Sequence, residues 1–267
     1  MPKTGQVNLR GIADNALQYR GLRTDFSDET MREAQKAREP DFTQLKLPDL
    51  SALPWSSIDN DDSRDLDQVA CVKVDGHLTR VLVGIADVAS FVAHGSSIDQ
   101  DAQQNTTSVY TGARTYPMLP ERLSHDLTSL NEDQKRLAVV IETLVNREGE
   151  IESFSVYPAI VQNKAQLTYN AVAAWLGDSE SPNSEITERM LAKIRANPEL
   201  QKQLAVQDEL AQTLREKRFE EGALQFETQQ VRPALLPDGE VLLSAQVSNR
   251  ATQLIEELMV AANQAVD

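Results

Sequence analysis

Asp59-Asn60-Asp61-Asp62-Ser63-Arg64-Asp65-Leu66-Asp67 places five carboxylates within nine residues, directly ahead of the apolar run at 69–74. Like charges a few ångströms apart repel, so a fold that gathers them needs positive charge among them. A divalent cation is the simplest source. Hard cations such as Mg²⁺ take oxygen ligands and keep positions open for substrate phosphates. The ordinary alternative is a solvated acidic loop. A calcium-binding EF-hand loop fits the opening Asp59, Asp61 and Ser63. It then fails, because Arg64 stands where that loop needs Gly and Ala70 where it needs a bidentate Glu. In extended backbone Asp65 and Asp67 share a side, and Asp59 is far enough ahead to reach the same ion from a turn. Arg64, inside the run, can neutralise a carboxylate or grip a phosphate.

The rest of the pattern predicts a mixed α/β fold. Residues 69–74 and 78–87 read as strands around Asp75-Gly76, and 137–145 and 151–161 repeat this around Glu148-Gly149. Thr168 is positioned to cap a helix ending near Trp175, with Gly177 after it. Further helices are expected over 198–219 and 249–266. The last has an apolar side carrying Leu254, Leu258 and Ala262. It must pack on residues of this chain or on something outside it, and if bare would drive self-association. Residues 1–50 read as an extension with one helix, capped by Ser27 and stopped by Pro40, and residues 51–267 as the main domain.

The net charge of −15 argues against a generic basic nucleic-acid binder, though not against an enzyme with a local groove. The single cysteine, Cys71, lies in a strand-like context and is expected to be buried. His77, His94 and His125 lack metal-ligand spacing. No apolar signal region or membrane-length run occurs, so a cytoplasmic protein without a membrane partner is expected.

Five blocks carry a resemblance. Ser57-Ile58-Asp59 with Arg64-Asp65-Leu66-Asp67 is similar to the signature of the ribonuclease II/ribonuclease R (RNB) family of 3′→5′ exoribonucleases. Val83-Gly84-Ile85-Ala86-Asp87-Val88 resembles that family's next strand. Ser108-Val109-Tyr110, Tyr116-Pro117-Met118-Leu119-Pro120, Leu123-Ser124 and Leu127-Thr128-Ser129-Leu130 resemble its most recognisable stretch. Ala165-Gln166-Leu167-Thr168-Tyr169 and then 255–263 follow in order.

The resemblance implies an RNB-type catalytic domain, incomplete at its C-terminus, that degrades single-stranded RNA from the 3′ end to nucleoside 5′-monophosphates with Mg²⁺ or Mn²⁺. No DNA partner is expected. Asp59, Asp65 and Asp67 are the implied metal-binding and catalytic carboxylates, with Asp67 beside the attacking water. Gln68 stands where the family has a fourth Asp, and can offer only an uncharged carbonyl to the metal. Tyr110 and Phe226 match the aromatics that stack on bases, Tyr169 a residue near the cleavage site, and Glu256 a contact to the terminal nucleotide. The family's later Arg-containing motif is not in this sequence, so weak or absent activity of this chain alone is expected. The other reading is a catalytically inactive RNB-fold module that binds RNA or protein.

Overall fold

The helices begin where the sequence supplies a side chain for their free amides. In the computed structural model, which describes residues 8–178, 184–224, 230–235, 241–246 and 248–266, Asn8 caps α1 (Leu9–Tyr19) by accepting from Gly11 N–H at 2.9 Å. Ser27 caps α2 (Asp28–Lys36) by accepting from Thr30 N–H at 3.1 Å, with Asp28 and Glu29 favourable against the helix dipole. The extension therefore holds two helices where the sequence suggests one. Helix α1 has no acidic residue in its first turn and no basic residue in its last, so its ends carry little sequence signal.

Two compact units form. The first draws on Met1–Glu39, Ala89–Ser124 and Glu227–Val247, the second on Pro40–Val88, His125–Phe226 and Ser248–Asp267.

The second unit is built on a six-stranded sheet. Its strands are β1 (Ser56–Asp59), β2 (Gln68–Asp75), β3 (Leu78–Ala86), β6 (Lys135–Val145), β7 (Ile151–Gln162) and β8 (Ala165–Thr168), in the order β7-β6-β3-β2-β1-β8. The expected hairpins are both present. Asp75 faces Leu78 across a turn in which Gly76 has φ +65°, a conformation that favours glycine. The second hairpin is tightened by Asn146, whose side chain accepts from Glu148 N–H (3.0 Å) and Glu150 N–H (2.9 Å). Gly149 there has φ +80°, and a Cβ would stand 3.2 Å from the Thr213 carbonyl oxygen.

Alternation along β2 gives the sheet two buried faces. Ala70 and Val72 join one core, while Val69 and Cys71 join the other with Trp55, Leu66 and Leu130. Cys71 is buried as expected. The first core is roofed by α4 (Tyr169–Trp175), α5 (Glu185–Ala196), α6 (Pro198–Glu220) and α7 (Arg250–Gln264). Thr168 caps α4, and Gly177 after it has φ +83°. The apolar side of α7 is covered by this unit itself, with Leu254 and Leu258 no more than 1% exposed. The self-association expected of a bare final helix thus loses its cause. Arginines of α6 close the seam, Arg218 pairing with buried Glu257 through Nε at 3.1 Å and Nη2 at 2.5 Å.

The first unit contains α1, α2, α3 (Ser97–Asn105) and two hairpins, β4–β5 (Val109–Tyr110, Thr115–Tyr116) and β9–β10 (Gln230–Leu235, Val241–Gln246). Buried Asp101 of α3 ties it together, accepting from Arg23 and from Ser27 N–H. Among the described residues no helix is long and apolar enough to cross a membrane.

Candidate active site

Strand β1 ends in Asp59, and what surrounds that end is set by pairing. On one side β1 runs parallel to β8, with Asp59 beside Thr168. On the other it runs antiparallel to β2, with Ser56 opposite Ala70. Continuing that register puts Asp59 opposite Asp67, the residue immediately before β2. Asp67 is held at its carbonyl by Ala86 N–H at 2.9 Å. Tyr169 follows Thr168 as the first residue of α4. Sheet pairing thus assembles Asp59, Asp67 and Tyr169 from three separated stretches.

One oxygen of Asp59 is already occupied. Its Oδ1 accepts from Asn60 N–H (2.7 Å), Asn60 Nδ2 (3.3 Å) and Ser63 Oγ (2.9 Å). This fixes the carboxylate plane and leaves Oδ2 for another partner. The Asp59 pKa is raised, first by loss of water around it and then, against those hydrogen bonds, by the charge of Asp65. Asp67 is also raised. Removal of water is again the main cause, followed by the charges of Asp59 and Asp65. Asp67 itself is exposed, so solvent reaches its carboxylate. Burial, Asp59 and Asp67 together push the Tyr169 hydroxyl upward. It stays protonated, a hydrogen-bond donor within the electrostatic reach of both carboxylates.

Among the described residues no three His, Cys, Asp or Glu side chains converge into a ready cation cage. The donors present are nevertheless all oxygen, carry like charge and are costly to ionise together. That set suits a hard divalent cation, since Mg²⁺ commonly takes one or two carboxylates and fills its remaining positions with water and substrate phosphate. Asp61 accepts from Asn170 Nδ2 at 3.2 Å through Oδ2, while its Oδ1 is buried with no partner.

The other sequence candidates fall in different places. Gln68 is buried and donates from Nε2 to the Ile58 carbonyl at 3.2 Å, which leaves its Oε1 as the atom for a ligand. Arg64 is exposed. Glu256 is 53% exposed on α7, 3.6 Å from Arg218. Tyr110, on β4, is 59% exposed and belongs to the first unit. Phe226 lies outside the described residues. Two groups escaped the sequence reading. Asn60 and Ser63 orient Asp59, and the Asp-Asn-x-x-Ser spacing was the available signal. Glu257 is the buried acid of α7, readable from its i+3 relation to Leu254 and its i+4 relation to Ala261.

Residues 48–267 match the model of the RNB domain. The chain is 34% identical to ribonuclease R of Vibrio cholerae over 263 residues, covering 98% of this chain and 29% of that protein. It is also 34% identical to ribonuclease R of Thermotoga maritima, covering 91% and 33%. The chain therefore spans about a third of the length of these relatives. Among solved structures it is similar to Mycoplasma genitalium RNase R in complex with ribose-methylated single-stranded RNA. The TM-score is 0.84 at 28% identity, over 97% of this chain and 39% of that one. Yeast Ssd1, a pseudonuclease, shares the fold at 14% identity and a TM-score of 0.61.

Proposed function

This chain belongs to the RNB domain family, and from that premise we propose that it removes nucleotides processively from the 3′ end of single-stranded RNA as nucleoside 5′-monophosphates. The observation that carries the reading is the facing pair Asp59 and Asp67. Both are raised in pKa, and among the described residues neither has an Arg, Lys or His against it. Acids whose pKa is raised by burial and by each other's charge, with solvent in reach, are characteristic of sites that do chemistry.

In this reading Asp59, Asp65 and Asp67 hold Mg²⁺ or Mn²⁺, with the Gln68 carbonyl as an uncharged fourth donor. When bound, the ion polarises a phosphodiester oxygen and makes water more acidic. Asp67 takes a proton from the attacking water, which solvent access and a raised pKa both favour. The water oxygen bonds to phosphorus, the bond from phosphorus to the 3′-oxygen breaks, and that oxygen recovers a proton. Tyr169, kept protonated, donates to a non-bridging phosphate oxygen. Asp59 works through Oδ2, its Oδ1 being held by Asn60 and Ser63. Tyr110, exposed on β4, and Phe226 stack on bases without reading them. Glu256 meets the terminal nucleotide, its carboxylate steadied by Arg218. Cytoplasmic RNA 3′ ends are the proposed substrates.

The test is release of 5′-monophosphates from labelled single-stranded RNA with Mg²⁺ or Mn²⁺. Release that Asp67→Asn abolishes supports the reading, and equal release by that variant removes it. One observation favours the second reading, an RNB-fold module that binds without cleaving. Gln68 brings no charge where a fourth carboxylate is expected, and its amide N–H is spent on Ile58. RNA binding that weakens steeply with salt, with no cleavage under any divalent ion, selects it.

A further inference from the structure

Asp65 sits between two peptide groups that one buried oxygen holds. Ser129 Oγ accepts from Leu66 N–H at 3.0 Å and donates to the Arg64 carbonyl at 2.9 Å. The hydroxyl has one proton and two lone pairs. This pairing uses the proton on the nearer of two acceptors, Asn131 Oδ1 standing at 3.1 Å. Ser129 is 1% exposed, so water does not replace either bond if the hydroxyl is lost.

The residue is itself fixed from several directions. Its carbonyl accepts from Nε of buried Arg136 at 3.0 Å. Leu130 N–H donates to the Leu66 carbonyl at 2.8 Å, and the Leu130 carbonyl accepts from Asn163 Nδ2 at 2.9 Å. Asn163 Nδ2 also reaches Ser57 Oγ in β1 at 2.9 Å. Leu66 fills the core that contains Trp55 and Leu130. The backbone from Arg64 to Asp67 is thereby gripped at Arg64 O, Leu66 N–H, Leu66 O and Asp67 O. Among these contacts only Ser129 Oγ brackets Asp65.

We infer that Ser129 is a positioning residue for the carboxylate segment, holding the backbone on both sides of Asp65 so that Asp65 and Asp67 face a cation together with Asp59. It touches neither substrate nor metal. The inference rests on the proposed reading of Asp59, Asp65 and Asp67 as metal-holding groups. An outer partner of this kind is worth about tenfold or more in metal affinity when removed.

The experiment measures Mn²⁺ binding by the full chain through the electron paramagnetic resonance of free ion, with no RNA present. Amide exchange at Leu66 and thermal unfolding are followed in parallel. Ser129→Ala is expected to raise the Mn²⁺ dissociation constant about tenfold and to release the Leu66 amide to exchange. Ser129→Thr, which keeps the hydroxyl, is expected to recover most of that affinity. Leu204→Ala serves as the stability control. It empties part of the helix-covered core and should lower the unfolding temperature while leaving Mn²⁺ affinity unchanged. Wild-type affinity in Ser129→Ala overturns the inference, as does an equal affinity loss in Leu204→Ala.

If Ser129→Ala does not fold, Ser129→Cys, similar in size but weak in hydrogen bonding, takes its place under the same criteria. If neither folds, the wild-type chain decides: Mn²⁺ must slow exchange at Leu66, and unchanged exchange overturns the inference. A wild-type chain that binds no Mn²⁺, or an Asp67→Asn variant that binds it equally, defeats the metal reading itself. Binding by wild type and Ser129→Ala alike defeats only the role given to Ser129.

Discussion

Two groups of acidic side chains in the second unit are handled in opposite ways. Between α6 and α7, Glu257 meets Arg215 and Arg218, and Asp208 meets Arg250 through two bonds of 2.8 and 2.6 Å. At the end of β1, Asp59 and Asp67 meet hydroxyl, amide and each other. The first arrangement neutralises charge and locks helix to helix. The second keeps charge uncompensated where solvent enters. Arginines stand against the buried acids of the neighbouring helices, and the metal proposed above is the charge that this pair would meet instead.

The sharpest break of that comparison is Asp67→Asn. RNA cleavage should fall about a hundredfold or more, as when a group acting on the reacting centre is removed. The seam gives the next largest effect. Glu257→Ala leaves two guanidinium groups without their shared acid, and both retain some solvent access. A destabilisation of about 2 kcal/mol is expected by urea unfolding, with Mn²⁺ affinity unchanged. A change in affinity there would join the two places that the comparison separates.

Gln68→Asp moves the site further from the seam. It adds the missing charge, so Mg²⁺ affinity should rise about tenfold, while without metal the chain should unfold more readily. An unchanged affinity would show that position 68 does not face the ion.

The smallest effect is on pH dependence. Asp59 and Asp67 have folded pKa values above the ordinary 3.8. The folded state therefore binds more protons than the unfolded state between 3.8 and the raised values. Stability from these groups is full below 3.8 and is lost as pH rises through the folded pKa. In metal-free buffer Asp67→Asn should then gain stability at neutral pH, by about 2 °C in unfolding temperature, and lose that gain in acid. Arginine-paired Asp208 should show no such gain when changed to Asn. A gain there would erase the contrast.

How much of this is readable in the chain follows the same division between local and distant. The β2–β3 and β6–β7 hairpins are local, and Asp75-Gly76 and Glu148-Gly149 announce them. Thr168 and Gly177 bound α4 in the sequence as they do in the fold. Strand β1 gives no such signal. It has four residues, two of them serine, and it exists through β8. Nor does composition show that Asp59 falls opposite Asp67, which is a property of register. On α7 the apolar residues Leu254 and Ala261 set the phase that buries Glu257 and leaves Glu256 exposed, a distinction that helical spacing alone carries. Helix α5 carries a signal that the strand and helix pattern above leaves unused: Ser184 caps it, and Thr187, Leu191 and Ile194 fall on one buried face.

The parallel pairing of β1 with β8 also sets a timetable. Four residue pairs join the two strands, against a single register pair between β1 and β2. As the chain leaves the ribosome, the β2–β3 hairpin can form as soon as it emerges, and the acidic residues emerge with it. Asp59 waits for its other neighbour until Thr168 has been made, more than a hundred residues later. Contacts of such separation form slowly and late. The nascent chain thus carries its carboxylates through about a hundred residues of synthesis without the strand that completes their setting.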